Sequence, residues 1–535
     1  MTPGSITPAP LLQAMANYAD AGRLGFHMPG HQQGKAFLPF FRRLLAGYGA
    51  AFDLTELPDL DNLAAPAGCI EESQAAMARL YGSKSAYYLI NGASAGLEAA
   101  MLAFSGPGVP TIMPAHCHAA ICNGLILSGS RPFILPSLVD PVWGLPLGLD
   151  RRAALAWLAP GEVGACPDDS LRACAAKCLW ISINPGYHGL LADPAWDKSI
   201  LDTYPGWNWV ADEAHGAHLP FVDIENAAAG FRAGRQYSAL SHGAHAVIHS
   251  IHKMGTGFTQ TGVLHCTMHQ PDDRLRQALT ILQSSSPSYL LMASLDAWQA
   301  FLHDNGAVLL QETQSLALEL AERIRACGDY RLWQDELPAG YATDPRKITL
   351  SPAELGMNGV ELAQALRRDF CIDVELAAQS HILLIVNPGH QESDICRMAN
   401  ALRAIRNASP RRNAAVQPHA FAANRISGKL PGEGPDPRKA PTESFRPGQK
   451  PRQTALSPRE AFFRPRERIR LDEAASRIAA DAVTPYPPGI PLLFPGMEID
   501  SGTLASVLAI RQAALPCAGL TRVNGRDYID VVADA

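Results

Sequence analysis

The chain has little net charge: its 535 residues carry 45 Lys and Arg against 51 Asp and Glu, a formal balance of −6. Without a basic excess, a general nucleic-acid binder is not expected. No apolar run reaches the ~18–20 residues that a bilayer-spanning helix needs. Met1 to Pro10 has neither the basic start nor the apolar stretch of a secretory signal. These absences predict a cytoplasmic protein with no membrane partner. The 11 cysteines are odd in number and scattered, without one CxxC pair; Cys174 and Cys178 suit one helix face better than a zinc knuckle. Reduced thiols are expected rather than a disulfide framework. The length exceeds what one ordinary core holds, so two or three domains are expected, and no internal repeat divides them.

What is present is strand–helix alternation. A Gly/Pro-punctuated arm, residues 1–60, contains Phe26-His27-Met28-Pro29-Gly30-His31. From 61 to 300, the apolar runs Tyr87–Ile90, Pro132–Pro136, Leu179–Ile183, Trp207–Ala211 and Ala246–His249 read as strands. Between them lie helical patterns such as Glu71–Tyr81, closed by Gly82 as a C-cap. This predicts an α/β large domain with a mainly parallel sheet covered on both faces. A long amphipathic segment, Tyr289 to Ala326, leads into a smaller α+β domain at 301–408, whose strands are expected at Ile348–Leu350, Ile372–Leu376 and Ile382–Val386. Residues 409–455 are rich in Pro, Arg, Lys, Ser and Gly and nearly free of aliphatics, the composition of a flexible linker. Order is expected to resume at Ser457-Pro458-Arg459-Glu460 and to continue as a C-terminal α+β domain, 456–535.

Four separated segments carry chemistry. Asn91-Gly92-Ala93-Ser94-Ala95-Gly96 follows a strand and precedes the helical pattern Leu97–Phe104. Small residues let backbone approach an anion, and the helix dipole favours negative charge there by about 0.3–1 kcal/mol. A plain strand–turn–helix junction has the same pattern. Asp212-Glu213-Ala214-His215-Gly216-Ala217-His218 comes directly after the run Trp207–Ala211. A carboxylate at that strand end points into the crevice where parallel sheets bind ligands, although a strand-end Asp also caps ordinary loops. The string Asp-Glu-Ala-His also occurs in helicases, but these need a phosphate loop, and Gly82-Ser83-Lys84-Ser85 lacks the required glycine before the lysine.

Ser250-Ile251-His252-Lys253-Met254-Gly255 leaves another apolar run for a small-residue loop. A lysine there is poorly solvated, which lowers its pKa and frees an amine nucleophile; Ser250 and His252 flank it with phosphate-capable donors. Most lysines are solvated surface charges, yet this one comes after a buried strand with Asp212 one strand earlier. His116-Cys117-His118 offers an imidazole that could stack on a flat ring. Zinc is not expected, because His242, His245, His249 and His252 straddle a strand and so point to opposite faces. Together the segments predict a pyridoxal-phosphate (PLP) enzyme with Lys253 holding the cofactor as a Schiff base. Asp212 would sit beneath the pyridine nitrogen and keep the ring an electron sink.

With these segments in place, the chain resembles the bacterial Orn/Lys/Arg decarboxylases of the aspartate-aminotransferase fold, fold type I, in their short form. The likeness runs through Phe26–His31, Asp53–Leu57, Asn91–Gly96, Asp212–His218, Ser250–Lys253, Ser284–Tyr289 and Pro485–Pro491. It implies Lys253, His118, Asp212 and His215 as catalytic residues. His118 would stack on the ring, and His215 would lie on the side of its phenolic oxygen. Ser94, Ser250 and His252 would hold the phosphate, with the backbone of Ala93 assisting. It also implies a homodimer with shared active sites, or a larger homo-oligomer, in which Ser285 and Ser286 reach the neighbour's phosphate. The chain departs from the family at His116, Ala119 and Ala120, where Asn, Lys and Ser are usual. It departs again at Gly186 and Ile251, where Thr is usual, and at Met497 before Glu498.

The implied reaction is α-decarboxylation of lysine, ornithine or arginine to the amine. Alternatives are another fold-type-I enzyme, an aminotransferase or lyase, and a catalytically silent regulatory relative. A carboxylate must meet the substrate's distal cation; Glu375 and Glu498 are candidates, each also able to be structural.

Overall fold

A run such as Leu179–Ile183 offers apolar side chains to both sides of the backbone, so it is stable only as a strand covered on both faces. The computed structural model, which describes residues 10–57, 59–158, 177–226, 231–232, 235–268, 273–409, 452–485, 489–512 and 516–533, realises this in a seven-stranded sheet. Its strands are β1 (Ser85–Leu89), β2 (Pro110–Pro114), β3 (Arg131–Leu135), β4 (Leu179–Ile183), β5 (Asn208–Asp212), β6 (Ala246–Ser250) and β7 (Gly262–Cys266). They lie in the order β1-β7-β6-β5-β4-β2-β3. The pairs β6–β5, β5–β4, β4–β2 and β2–β3 are parallel, whereas β7 runs antiparallel to both its neighbours. Strand β7 is not legible in the sequence, because Gly262-Val263-Leu264-His265-Cys266 opens on glycine and carries a buried histidine. Alternate residues feed two cores. Trp180, Trp209 and Val247 pack on one side, Leu179, Ile181, Val210 and Ile248 on the other.

The helix Cys69–Tyr81 ends, as its glycine predicted, on Gly82 with φ +75°. The helix expected from Leu97 begins earlier, at Gly92, so that the whole small-residue turn belongs to its first turns. The long amphipathic segment forms two α-helices, Tyr289–Phe301 and Ala307–Arg325, joined by a π turn at Leu302–Gly306.

The latter helix packs on a four-stranded sheet with Lys347–Ser351 and Ile382–Ile385 at its centre. The expected strand Ile372–Leu376 is split. Ile372–Val374 pairs in parallel with the arm's Leu24–Phe26, and Leu376–Ala377 joins Ile382–Leu383. Most of the expected linker lies outside the described residues, but Arg452 near its end exchanges 3.0 Å backbone hydrogen bonds with Ile134 on β3. The helix Pro458–Phe463 begins with a Ser457–Glu460 capping box. The antiparallel sheet Arg466–Arg470, Arg526–Val532, Leu520–Val523 comes next, and Val531, Leu493 and Phe494 complete the second core. Among the described residues no helix is long and apolar enough to cross a membrane.

Candidate active site

Parallel strands deliver their C-terminal ends to one edge of the sheet, and a cavity of about 1280 Å³ opens there. Asp212 is the last residue of β5 and is buried; its Oδ1 accepts a 3.1 Å hydrogen bond from the Ala214 amide. On the neighbouring strand, Ile248 is paired with Asp212, so β6 runs on to Ser250 and the single turn Ile251–Met254 carries Lys253 over the same edge. The arm clamps this turn: the Gly30 amide donates to His252 O at 2.8 Å. A Cβ on Gly30 would lie 2.3 Å from the Gly255 carbonyl oxygen, so no larger residue fits. Burial lowers the pKa of the Lys253 amine, opposed by the charges of Asp212 and Glu375.

Gly92, in the left-handed region at φ +82°, opens the 13-residue helix Gly92–Phe104, and Gly92, Ala93 and Ser94 all line the cavity. Ser250 Oγ and His252 Nδ1 lie 3.1 Å apart beside them. His252 Nδ1 also faces the Thr261 carbonyl oxygen at 3.3 Å, which can only accept, so Nδ1 carries the hydrogen. Burial holds this imidazole at about 4, hence neutral until an anion arrives.

His118 caps the helix Ala119–Ser128, its Nδ1 accepting from the Ala120 amide at 3.1 Å, which places the ring hydrogen on Nε2. His116, one of the departures from the family pattern, has its Nδ1 2.6 Å from Ser137 Oγ, and burial pulls it down to about 4. Both histidines line the cavity.

His215 lies between two lysines. Its Nε2 is 3.2 Å from Lys253 Nζ and its Nδ1 is 2.7 Å from the Nζ of Lys347, which also donates to Tyr187 O at 2.6 Å. Lys347 was not foreseen, because a lysine on a short strand reads as a solvated face; here it is wholly buried. Glu375 lines the cavity, accepting from Tyr187 Oη at 2.8 Å and from the Met28 amide at 3.1 Å. Glu498 does not: it is exposed and bridges the Ile478 backbone. Ser285 and Ser286 are exposed and outside the cavity wall. The remaining histidines scatter: His249 meets Glu213 at 3.1 Å and His218 meets Asp344 at 3.0 Å. Among the described residues no three side chains are grouped to hold a metal ion.

The donor set fits PLP. Hydroxyls and a helix N-terminus face one end of the cavity for a phosphate, Asp212 supplies an anion for a ring nitrogen, His118 offers a flat face, and Lys253 offers a desolvated amine for an aldehyde.

Asp197, also on the wall, accepts from Trp180 Nε1 at 2.8 Å. Burial raises its carboxyl from 3.8 to about 7, the Trp180 hydrogen bond opposing. The folded group therefore keeps its proton where the unfolded one loses it. Its contribution to stability is full below about pH 4 and declines as pH rises through about 7. Asp197→Asn should remove that decline. We expect the urea midpoint of the variant, relative to the parent, to rise between pH 4.5 and pH 7.5 by the equivalent of about 2–4 kcal/mol. A pH-independent difference would refute the buried neutral carboxyl.

Comparison with known proteins places these features in context. A family model described as Orn/Lys/Arg decarboxylase, major domain, matches residues 9–394, and its C-terminal domain counterpart matches 439–517. An arginine decarboxylase of Bacillus subtilis (strain 168) is 31% identical over 516 residues, 95% of each chain. A constitutive lysine decarboxylase of Escherichia coli (strain K12) is 25% identical over 566 residues, 92% of this chain and 75% of that one. Among solved structures, the lysine decarboxylase of Francisella novicida superposes with a TM-score of 0.71 at 17% identity, covering 98% of this chain and 81% of the other. That likeness shows the fold.

Proposed function

From the premise that the chain belongs to the Orn/Lys/Arg decarboxylase family, we propose that it converts arginine to agmatine and CO₂. Decarboxylation of a basic amino acid with PLP as cofactor is the coarser statement the family supports. Arginine is favoured because relatives named arginine decarboxylase are 29–31% identical over 91–95% of this chain. Those named lysine decarboxylase stand at 21–25%. The observation that carries the reading is the placement of Lys253 and Asp212 at the ends of adjacent strands in one cavity.

When bound, PLP supplies a sink for the electron pair left at Cα. The chain's part is to position groups, hold charge and move protons. Asp212 would hold a proton on the ring nitrogen by its charge. Ser94, Ser250, His252 and the Ala93 amide would hold the phosphate end, and His118, its orientation set by the Ala120 amide, would offer its face to the ring. Lys253 Nζ, poorly solvated, takes a proton from the substrate's ammonium and returns one to Cα after CO₂ leaves. His215 stands 3.2 Å from that nitrogen and sets which way its hydrogens point. We also read the protein as a cytoplasmic homodimer, supported by the exposed Ser285–Ser286 segment, which is free to meet a neighbour's phosphate site.

The test is direct. Purified protein supplied with PLP is given arginine, lysine or ornithine, and CO₂ and amine are measured. Agmatine with stoichiometric CO₂ is expected from arginine at a kcat/KM at least about tenfold above the others. A keto acid without CO₂ would make it an aminotransferase instead.

A further inference from the structure

Lys347 belongs to the small domain, at the start of the strand Lys347–Ser351, and yet it touches the chemistry of the large domain through one ring. Three basic side chains lie in a row: Lys253 Nζ is 3.2 Å from His215 Nε2, and His215 Nδ1 is 2.7 Å from Lys347 Nζ. A neutral imidazole has one N–H and one lone pair. It can therefore accept from one amine only while donating to the other, and the amine that receives its hydrogen must be uncharged. Two ammonium groups cannot both be satisfied by this ring. The hydrogen-bond geometry therefore allows at most one of the two lysines to be an ammonium while both face the neutral ring.

We propose that Lys347 is the proton store of the active site, exchanging one proton with Lys253 through His215. The inference rests on the PLP reading of Lys253. In the forward step the Lys253 Nζ–H bond breaks and the proton passes to His215 Nε2, while the His215 Nδ1–H bond breaks and its proton passes to Lys347 Nζ. Lys253 ends neutral with a free lone pair, Lys347 ends as ammonium, and the net charge is unchanged. The reverse step recharges Lys253.

The surroundings favour a store over a fixed charge. Lys253 faces Asp212, Glu375, His118 and His252. Lys347 faces the carboxylates of Asp344 and Glu375, the bases His215, His188 and His218, and the cations Arg346 and Lys253. With burial the dominant cause, this balance brings its amine down to about 7, close to where a proton is as easily held as released. Its ammonium form has defined acceptors, the Tyr187 carbonyl oxygen at 2.6 Å and the Tyr187 ring face at 5.6 Å. Lys347 is thus a positioning residue, because it acts on Lys253 through His215. The proton it holds is also shielded from bulk water, since its side chain is wholly buried.

The test is a titration of the Lys253 amine in the full chain freed of PLP. It is read by acetic anhydride labelling and mass spectrometry of the peptide carrying Lys253. In the parent protein the shared proton should make labelling rise with pH in two steps. Lys347→Met leaves Lys253 alone with its proton. The curve should collapse to one step at higher pH, with labelling at pH 7 down about tenfold for each unit of displacement and unchanged at the alkaline end. Lys347→Arg keeps a cation that cannot give up its proton, so one step is again expected, now no higher than the parent's first. Should the methionine variant fail to fold, the parent curve and the arginine variant decide. A single step in the parent, or a loss of labelling equal at every pH, overturns the proposal. Labelling needs neither substrate nor CO₂ release, so this result stands apart from the decarboxylation assay.

Discussion

Replacing Lys253 with alanine is expected to lower kcat by at least about 10³-fold without unfolding the protein. On the proposed function the amine would be the nucleophile that fixes the cofactor, and also the base and acid that moves protons at Cα. Acid–base catalysis alone is worth about 10²–10⁴-fold. The fold should tolerate the change because the amine is desolvated and stands at the wall of a cavity. Deleting a poorly solvated basic group removes an unfavourable term that offsets the lost contacts of its stem. We therefore expect a thermal midpoint equal to or above the parent's. PLP should be lost on dialysis from the variant and retained by the parent. A small primary amine added to the medium should restore part of the rate, since the space left by the side chain opens on the cavity. If the variant kept a tenth of the parent's activity, Lys253 would not be the cofactor-bearing residue, and the reading of the site would fall with it.

The reasons Lys253 and Asp212 could be placed near one another at a sheet edge without coordinates are physical. Strands covered on both faces spell themselves out as short apolar runs, so β4 matches its expected bounds residue for residue and β5 and β6 differ by one. The residues that leave such a run lie at a sheet edge, and a polar group there is out of place unless it serves a site. Lys347 obeys no such rule, and Glu375, expected only as a carboxylate that could meet a distal cation, shows nothing of its place. Both come from the small domain and enter the cavity region only because the chain packs that domain on the strand ends. The link between the arm's Leu24–Phe26 and Ile372–Val374 was hidden for the same reason: parallel pairing between distant segments leaves no local trace. Glu498 takes the structural place that its sequence also allowed. A carboxylate near a family motif reads as functional, but its backbone bridge to Ile478 holds it in the C-terminal domain with its side chain in solvent.

Asp212→Asn is the second large effect, and it separates binding from chemistry. The two side chains have the same shape, and the asparagine oxygen can keep the 3.1 Å hydrogen bond from the Ala214 amide, so the loop Asp212–His218 should hold its course. A charge is all that disappears. On the proposed function this charge is what would keep a proton on the ring nitrogen at the end of β5, so its loss would weaken the sink for electrons. We expect kcat to fall about 10²–10³-fold, the scale on which a single preorganised electrostatic contact acts in a buried site. Capture of PLP should move differently. The Asp212 charge raises the pKa of Lys253 and of His118, so its removal lowers both. A larger share of Lys253 is then uncharged at neutral pH, and the apoprotein should take up PLP at least as fast as the parent, monitored by absorbance. A purely structural role for Asp212 would slow uptake and turnover together. Turnover within about tenfold of the parent would instead place the electron sink under the control of some other group, and Asp212 would be an ordinary strand-end cap.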